Sequence, residues 1–164
     1  MLTKNFYALM RIAIGKIRST VNSLDNIPST VDYNSSNWYG ILGNMNYYAT
    51  NGYQYVRFGN GTTPATVNDY KLESMIASGI EVANPNTVTT EQTGSYISWT
   101  VTFGVSASVE TTISEIGLIA KAYRSNGPID TLVDRTVLDT PITIPAGQSK
   151  QITYTIRFNY GDAT

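Results

Sequence analysis

The sequence predicts a mainly β fold, an antiparallel β-sandwich preceded by an N-terminal amphipathic helix. Two stretches carry the β prediction. In residues 151–160, Ile152, Tyr154, Ile156 and Phe158 alternate with Thr153, Thr155, Arg157 and Asn159. In residues 97–106, Ile97, Trp99, Val101, Phe103 and Val105 alternate with Ser98, Thr100, Thr102, Gly104 and Ser106. A period of two sends alternate side chains to opposite faces of a sheet. Two long half-buried strands of this kind need a second layer over their apolar face. The third observation is that helical periodicity is confined to one stretch, residues 3–24. A chain of 164 residues suffices for one domain that buries about 70% of its unfolded surface without a covalent staple. The predicted organisation is a helical arm over residues 1–26 and a sandwich domain over residues 27–164.

Taken in order, the arm places Phe6, Met10, Ala13, Ile14, Ile17, Val21 and Leu24 at three- and four-residue steps, which makes one apolar stripe on a helix. Arg11 interrupts the run at its middle, unlike the apolar centre of a signal peptide, and the stretch is too polar to span a bilayer. Lys4, Arg11, Lys16 and Arg18 give it a basic character, which suits a membrane surface only weakly. The stripe needs a cover, either a neighbouring subunit or the chain's own core, and the first is the expectation. That makes Phe6, Met10, Ile14 and Ile17 candidate interface residues.

Residues 27–52 form an irregular connection rich in Tyr and Asn. Pro28, Asn34-Ser35-Ser36-Asn37, Gly40 and Gly43 break it into short pieces. Trp38, Tyr39, Ile41, Leu42, Met45, Tyr47 and Tyr48 are too apolar for a free linker. Trp38, Tyr47 and Tyr48 join the interface candidates, since aromatic residues give large contact area at small entropic cost. Asn51-Gly52 suits a hairpin turn into a strand over residues 53–58. The glycine-rich run from Arg57 to Glu73 lacks both the Gly-Lys-Ser/Thr ending of a phosphate loop and a dinucleotide fingerprint. Asn68, Asp69 and Glu73 miss the spaced carboxylates of a calcium loop. A tight glycine turn and an extended loop anchored by Leu72 are expected there.

A strand pair is expected over residues 80–90 around Asn84-Pro85-Asn86. A strand over residues 113–123 follows the Trp99 strand, with Ile116 and Leu118 on one face and Glu115, Gly117 and Ile119 on the other. Ser125-Asn126-Gly127-Pro128 reads as a turn and residues 132–138 as the next strand. Pro141 and Pro145-Ala146-Gly147 bracket a short edge piece, since proline is confined to edges and strand starts. Residues 149–160 close the sheet.

The chemistry is bounded by what the chain lacks. It has no Cys and no His, which removes disulfides, thiolate chemistry and the commonest general base and metal ligand. No cofactor and no metal are expected. The formal charge is −1, from 11 basic and 12 acidic residues, and no basic stripe offers itself to nucleic acid.

Four segments in the same order carry a resemblance. Residues 57–64 (Arg-Phe-Gly-Asn-Gly-Thr-Thr-Pro) with Asp69-Tyr70-Lys71-Leu72 are similar to the G-x-G-T-x-P … D-x-x-L loop of small bacteriophage virion proteins. Ile113-Ser114-Glu115-Ile116-Gly117-Leu118 resembles their I-S-E-x-G-L strand. Leu132-Val133-Asp134-Arg135 and residues 152–158 resemble their L-x-x-R and I-x-Y-x-I-x-F closing strands. The likeness covers residues 53–160. It implies a non-enzymatic β-sandwich component of a tailed-phage particle, located in the virion and assembled in the bacterial cytoplasm. The implied partners are further copies of the chain and other virion proteins, with no nucleic acid and no membrane.

Glu115 and Arg135 each stand among apolar positions on what should be neighbouring strands. They are either a buried structural ion pair that fixes register or two unrelated surface charges. For function, three readings stand side by side. The first is a symmetric structural subunit, as head decoration or collar, with a tail, baseplate or fibre-base position as its variant. The second is a receptor- or carbohydrate-binding module that stacks a host-surface glycan on Trp38, Tyr47 and Tyr48. The third, an enzyme using two carboxylates, is disfavoured because no clustered pair is visible in the sequence.

Overall fold

The computed structural model describes residues 1–8, 19–31, 56–83, 87–124 and 127–159. The chain is mainly β, and the registered strand pairings are all antiparallel. Its strands are β1 (Ser19–Asn22), β2 (Pro28–Val31), β3 (Val56–Gly59), β4 (Ile80–Val82), β5 (Thr87–Gln92), β6 (Tyr96–Ala107), β7 (Thr111–Arg124), β8 (Gly127–Ile144) and β9 (Ser149–Asn159). The chain divides into two compact units. One comprises Met1–Asn44, Gln54–Ala77 and Thr112–Thr143, the other Met45–Tyr53, Ser78–Thr111 and Ile144–Thr164. Strands β7 and β8 are the longest described, at 14 and 18 residues.

The sheet of the first unit has β7 at its centre, flanked by β3 and β8. Both outer strands gain a further partner. Met75 bridges Gly59 on the far edge of β3, and Leu2 bridges Asp134 on β8. Backbone bonds from Thr3 N to Val133 O and from Arg135 N to Met1 O fasten the first residues to β8. The α-amino group of Met1 donates to Arg135 O and lies 3.1 Å from an Asp134 carboxylate oxygen. Residues 113–120 of β7 are all buried, so both faces of this strand are covered and the alternation expected there is hidden. Phe58, Ile113, Leu118 and Leu132 are among its largest fully buried side chains. Burying each contributes about 1.5–3 kcal/mol.

The N-terminal segment departs from the predicted arm. Helix is present over residues 4–8, but residues 19–22 form β1, paired with β2 in a short hairpin. Val21 was expected on the helical stripe, but the Ser19-Thr20-Val21 run holds β-branched residues that favour strand. Asn26 closes the hairpin turn at φ 59°, a left-handed conformation that asparagine tolerates. Asn5, itself buried, donates to Asn22 O at 2.8 Å and accepts from Asn22 N at 2.7 Å, standing in for a strand partner. Leu24 N donates to Asp130 O, which ties the hairpin to β8. Residues 1–8 are thus built into this unit.

The second unit is a sheet around β6. One edge of β6 pairs with β9 along its length, and the other carries β5 and β4 in succession. The hairpin expected between β4 and β5 is absent. They are successive pieces on one edge, β4 beside Val105–Ala107 and β5 beside residues 97–102. The apolar sets of β6 and β9 coincide in register, with Val101 opposite Tyr154 and Phe103 opposite Ile152, all four buried. A one-residue slip would turn that whole set toward water, which fixes the register. Thr93 closes the β5–β6 turn, its hydroxyl accepting from Ser95 N and Tyr96 N. Strand β8 runs unbroken through Pro141 to Ile144, so the short edge piece expected near Pro141 is its end.

Candidate functional site

The described side chains with the densest polar chemistry lie in the first unit, where residues 60–76 cross one face of β7. Glu115 is fully buried. Its Oε1 accepts from Ser74 N at 2.8 Å and Gly61 N at 3.3 Å, and its Oε2 from Glu73 N at 3.1 Å. Arg135 Nε completes the set at 2.7 Å. Strand geometry explains the meeting: Glu115 lies opposite Gly59 in the β3–β7 register, so the loop leaving β3 begins beside it. Gly59 and Gly61 let the backbone come this close. A Cβ on Gly59 would stand 2.3 Å from Glu115 Oε1 and 2.6 Å from Ser74 O. Two residues along β7, Gly117 leaves room for Leu72, whose side chain anchors the loop.

Arg135, its side chain 4% exposed, spreads over the underside of the loop. One terminal nitrogen donates to Asp69 Oδ2 at 2.9 Å. The other donates to Thr63 O at 3.1 Å and Glu73 Oε2 at 3.4 Å. Glu73 also accepts from Thr63 N at 2.8 Å and from the Thr63 hydroxyl at 2.5 Å. Asp69 closes its own turn by accepting from Thr66 N and the Thr66 hydroxyl. Burial alone would raise the Asp69 pKa. The Thr66 backbone and the Arg135 guanidinium outweigh it and hold the carboxyl below its ordinary value. Glu73 is likewise lowered, first by the Thr63 hydroxyl and then by the Thr63 N–H. Burial would pull the Arg135 pKa down, but hydrogen bonds to Asp69 and Glu115 more than offset it and raise the value further.

The chemistry this allows is limited. Glu115 has no access to solvent, and both its oxygens are engaged. A depression of about 260 Å³ lies alongside, lined in part by Thr63, Pro64, Asp69, Tyr70, Lys71 and Arg135. The polar groups at its floor are spent on one another. Among the described residues no group of three or more His, Cys, Asp or Glu is arranged to hold a metal ion. The arrangement is a clasp that fixes a loop to a sheet.

Of the residues singled out from sequence, the structure brings Glu115 and Arg135 together as a buried pair. Phe6, expected at a subunit interface, is only 2% exposed within the chain itself. It is a core residue, because the helix at residues 4–8 is held against β8 by the bonds of Met1 and Thr3. Met10, Ile14, Ile17, Trp38, Tyr47 and Tyr48 lie outside the described residues. Asp69 and Glu73 were weighed only as calcium ligands, and their partnership with Arg135 escaped the sequence reading. Thr66 three residues before Asp69 marks the turn that Asp69 closes, but no local pattern directs either carboxylate to Arg135. Comparison with family models, with curated proteins and with solved structures returns no match for the chain.

Proposed function

We propose that the chain is a non-enzymatic structural subunit of a tailed-phage virion, assembling symmetrically through protein–protein contacts as a head-decoration or collar-associated protein. One observation carries the reading. The polar and glycine positions of the loop, I-S-E-x-G-L and L-x-x-R segments that resemble phage virion proteins converge on the single clasp of Gly59, Gly61, Asp69, Glu115 and Arg135. Residues spread over 77 positions of sequence, from Gly59 to Arg135, therefore form one unit with one task, to hold a surface loop rigid. A loop fastened by a fully buried carboxylate serves recognition by shape better than turnover. The absence of His and Cys from the sequence agrees with this.

The test is the copy number of the chain in purified particles, by quantitative mass spectrometry against the major capsid protein. A count comparable to that protein is expected for decoration, and a ring-like or trimeric count for a collar. A handful of copies confined to the tail would move the chain to a baseplate or fibre base. Absence from the particle would overturn the proposal.

A further inference from the structure

The middle of one face of the second unit's sheet is made of small hydroxyl residues. Register places Thr155, Thr100 and Thr89 in one row across β9, β6 and β5, and Thr153 and Thr102 in the next. Further along the same side, Arg157 and Glu91 flank a buried Ser98 at one end, and Gly104 with Gln151 and then Ser149, Ser106 and Glu81 follow toward the other. Thr89, Thr153 and Thr155 are exposed. The hydroxyls already pair laterally, Thr100 with Thr155 at 2.9 Å and Thr102 with Thr153 at 3.1 Å. Such a face loses less on desolvation than free hydroxyls would. β-Branched side chains are also stiff at χ1, so little side-chain entropy remains to be lost on docking.

We infer that this threonine face is the contact surface for a second copy of the chain, the two sheets stacking face to face about a two-fold axis along β6. This rests on the reading of the chain as a symmetric subunit. Charge selects the occupant. A two-fold axis parallel to the strands lays β5 of one copy over β9 of the other and keeps each row over itself. Glu91 then meets the other copy's Arg157, and Arg157 meets its Glu91, where the sheets cross near Ser98 and Thr100. Glu81, the remaining charge on these rows, meets uncharged Ser149. An axis across the strands would instead set Glu91 over Glu81, like on like. Both paired charges are held ready: the Arg157 guanidinium lies 4.1 Å over the Tyr96 ring, and the Tyr96 hydroxyl bonds to Glu91. Three strands about 4.8 Å apart and a β6 length of about 37 Å give roughly 500 Å² per copy. The total of about 1,000 Å² sits at the lower limit for a specific interface, so the contact is weak alone and relies on repetition in an assembly.

The experiment is sedimentation velocity on the full chain over a range of concentrations, with thermal melts to show that each variant is folded. The native chain is expected to dimerise as concentration rises. Arg157→Glu and Glu91→Arg each set like charges together and are expected to weaken association at least tenfold. The double reversal Glu91→Arg/Arg157→Glu is expected to restore it, and Thr155→Lys to abolish it. A native chain that stays monomeric, or an oligomer that all four variants leave unchanged, overturns the face as a self-contact. If the chain still counts as a virion protein by mass spectrometry, only this inference falls. If it is also missing from particles, the proposed function falls with it. Binding of a glycan by a monomeric chain, lost in Thr155→Lys, would likewise refute the second copy.

Discussion

Replacing Arg135 with methionine keeps the aliphatic stem and deletes the charge at the centre of the clasp. Glu115 would retain its three backbone donors, Gly61, Glu73 and Ser74, but would remain an uncompensated buried carboxylate. Breaking such a pair from one side costs about 3–5 kcal/mol. For a chain of this length that is roughly 6–20 °C in melting temperature. A second substitution separates charge from packing. In Glu115→Gln/Arg135→Met the amide oxygen still accepts from Ser74 N and no buried charge is left, so about 1–3 kcal/mol of the loss should return as coupling. Urea unfolding followed by tryptophan fluorescence gives the values, with calorimetry to test whether the two units unfold together. Hydrogen exchange at Gly61 and Ser74 shows whether the loop lets go first. An Arg135→Met variant within about 1 kcal/mol of the native chain, or a strictly additive double variant, would refute the reasoning.

Acid should loosen the same loop. Asp69 and Glu73 have folded pKa values below their ordinary 3.8 and 4.5, so their contribution is complete above those values and is lost as pH falls through the lower folded ones. Unfolding midpoints should be level from pH 5 to 8 as far as these groups act, decline below about pH 4, and decline less in Asp69→Asn, measured by urea titration at each pH. The glycines give a graded series: Gly59→Ala, facing backbone at 2.6 Å, should cost more than Gly117→Ala, whose nearest neighbours are side-chain atoms of Leu72 and Leu132, while Gly94→Ala has open space. Overpacking costs of about 1–3 kcal/mol are expected for Gly117→Ala, no loss for Gly94→Ala, and equal melting temperatures for all three would refute the close approach. Asn5→Ala strips both bonds from the Asn22 backbone, and leaving those groups unmade should cost about 1–3 kcal/mol, read from the urea midpoint.

What the sequence determined by itself was the β character and the facing of its long strands. The alternation in residues 97–106 and 151–158 depends only on the two-residue period of a strand and on which side meets water, both local properties. For Glu115 and Arg135 the sequence offered a buried pair and two surface charges side by side, because each charge stands in an apolar run on successive strands, and the structure decided for the pair. Residues 113–120 carried less information, since a strand covered on both faces loses its alternation. The rest was settled by tertiary structure. Whether Ser19–Asn22 continues a helix or pairs with Pro28–Val31 depends on a partner, because propensity is too weak to decide it. That β4 and β5 share one edge of β6 instead of pairing with each other is a competition among strands that no local pattern records. The recruitment of Asp69 and Glu73 by Arg135 needed the loop to fold back over β7. Two glycines allow that approach, and only the three-dimensional path shows what they approach.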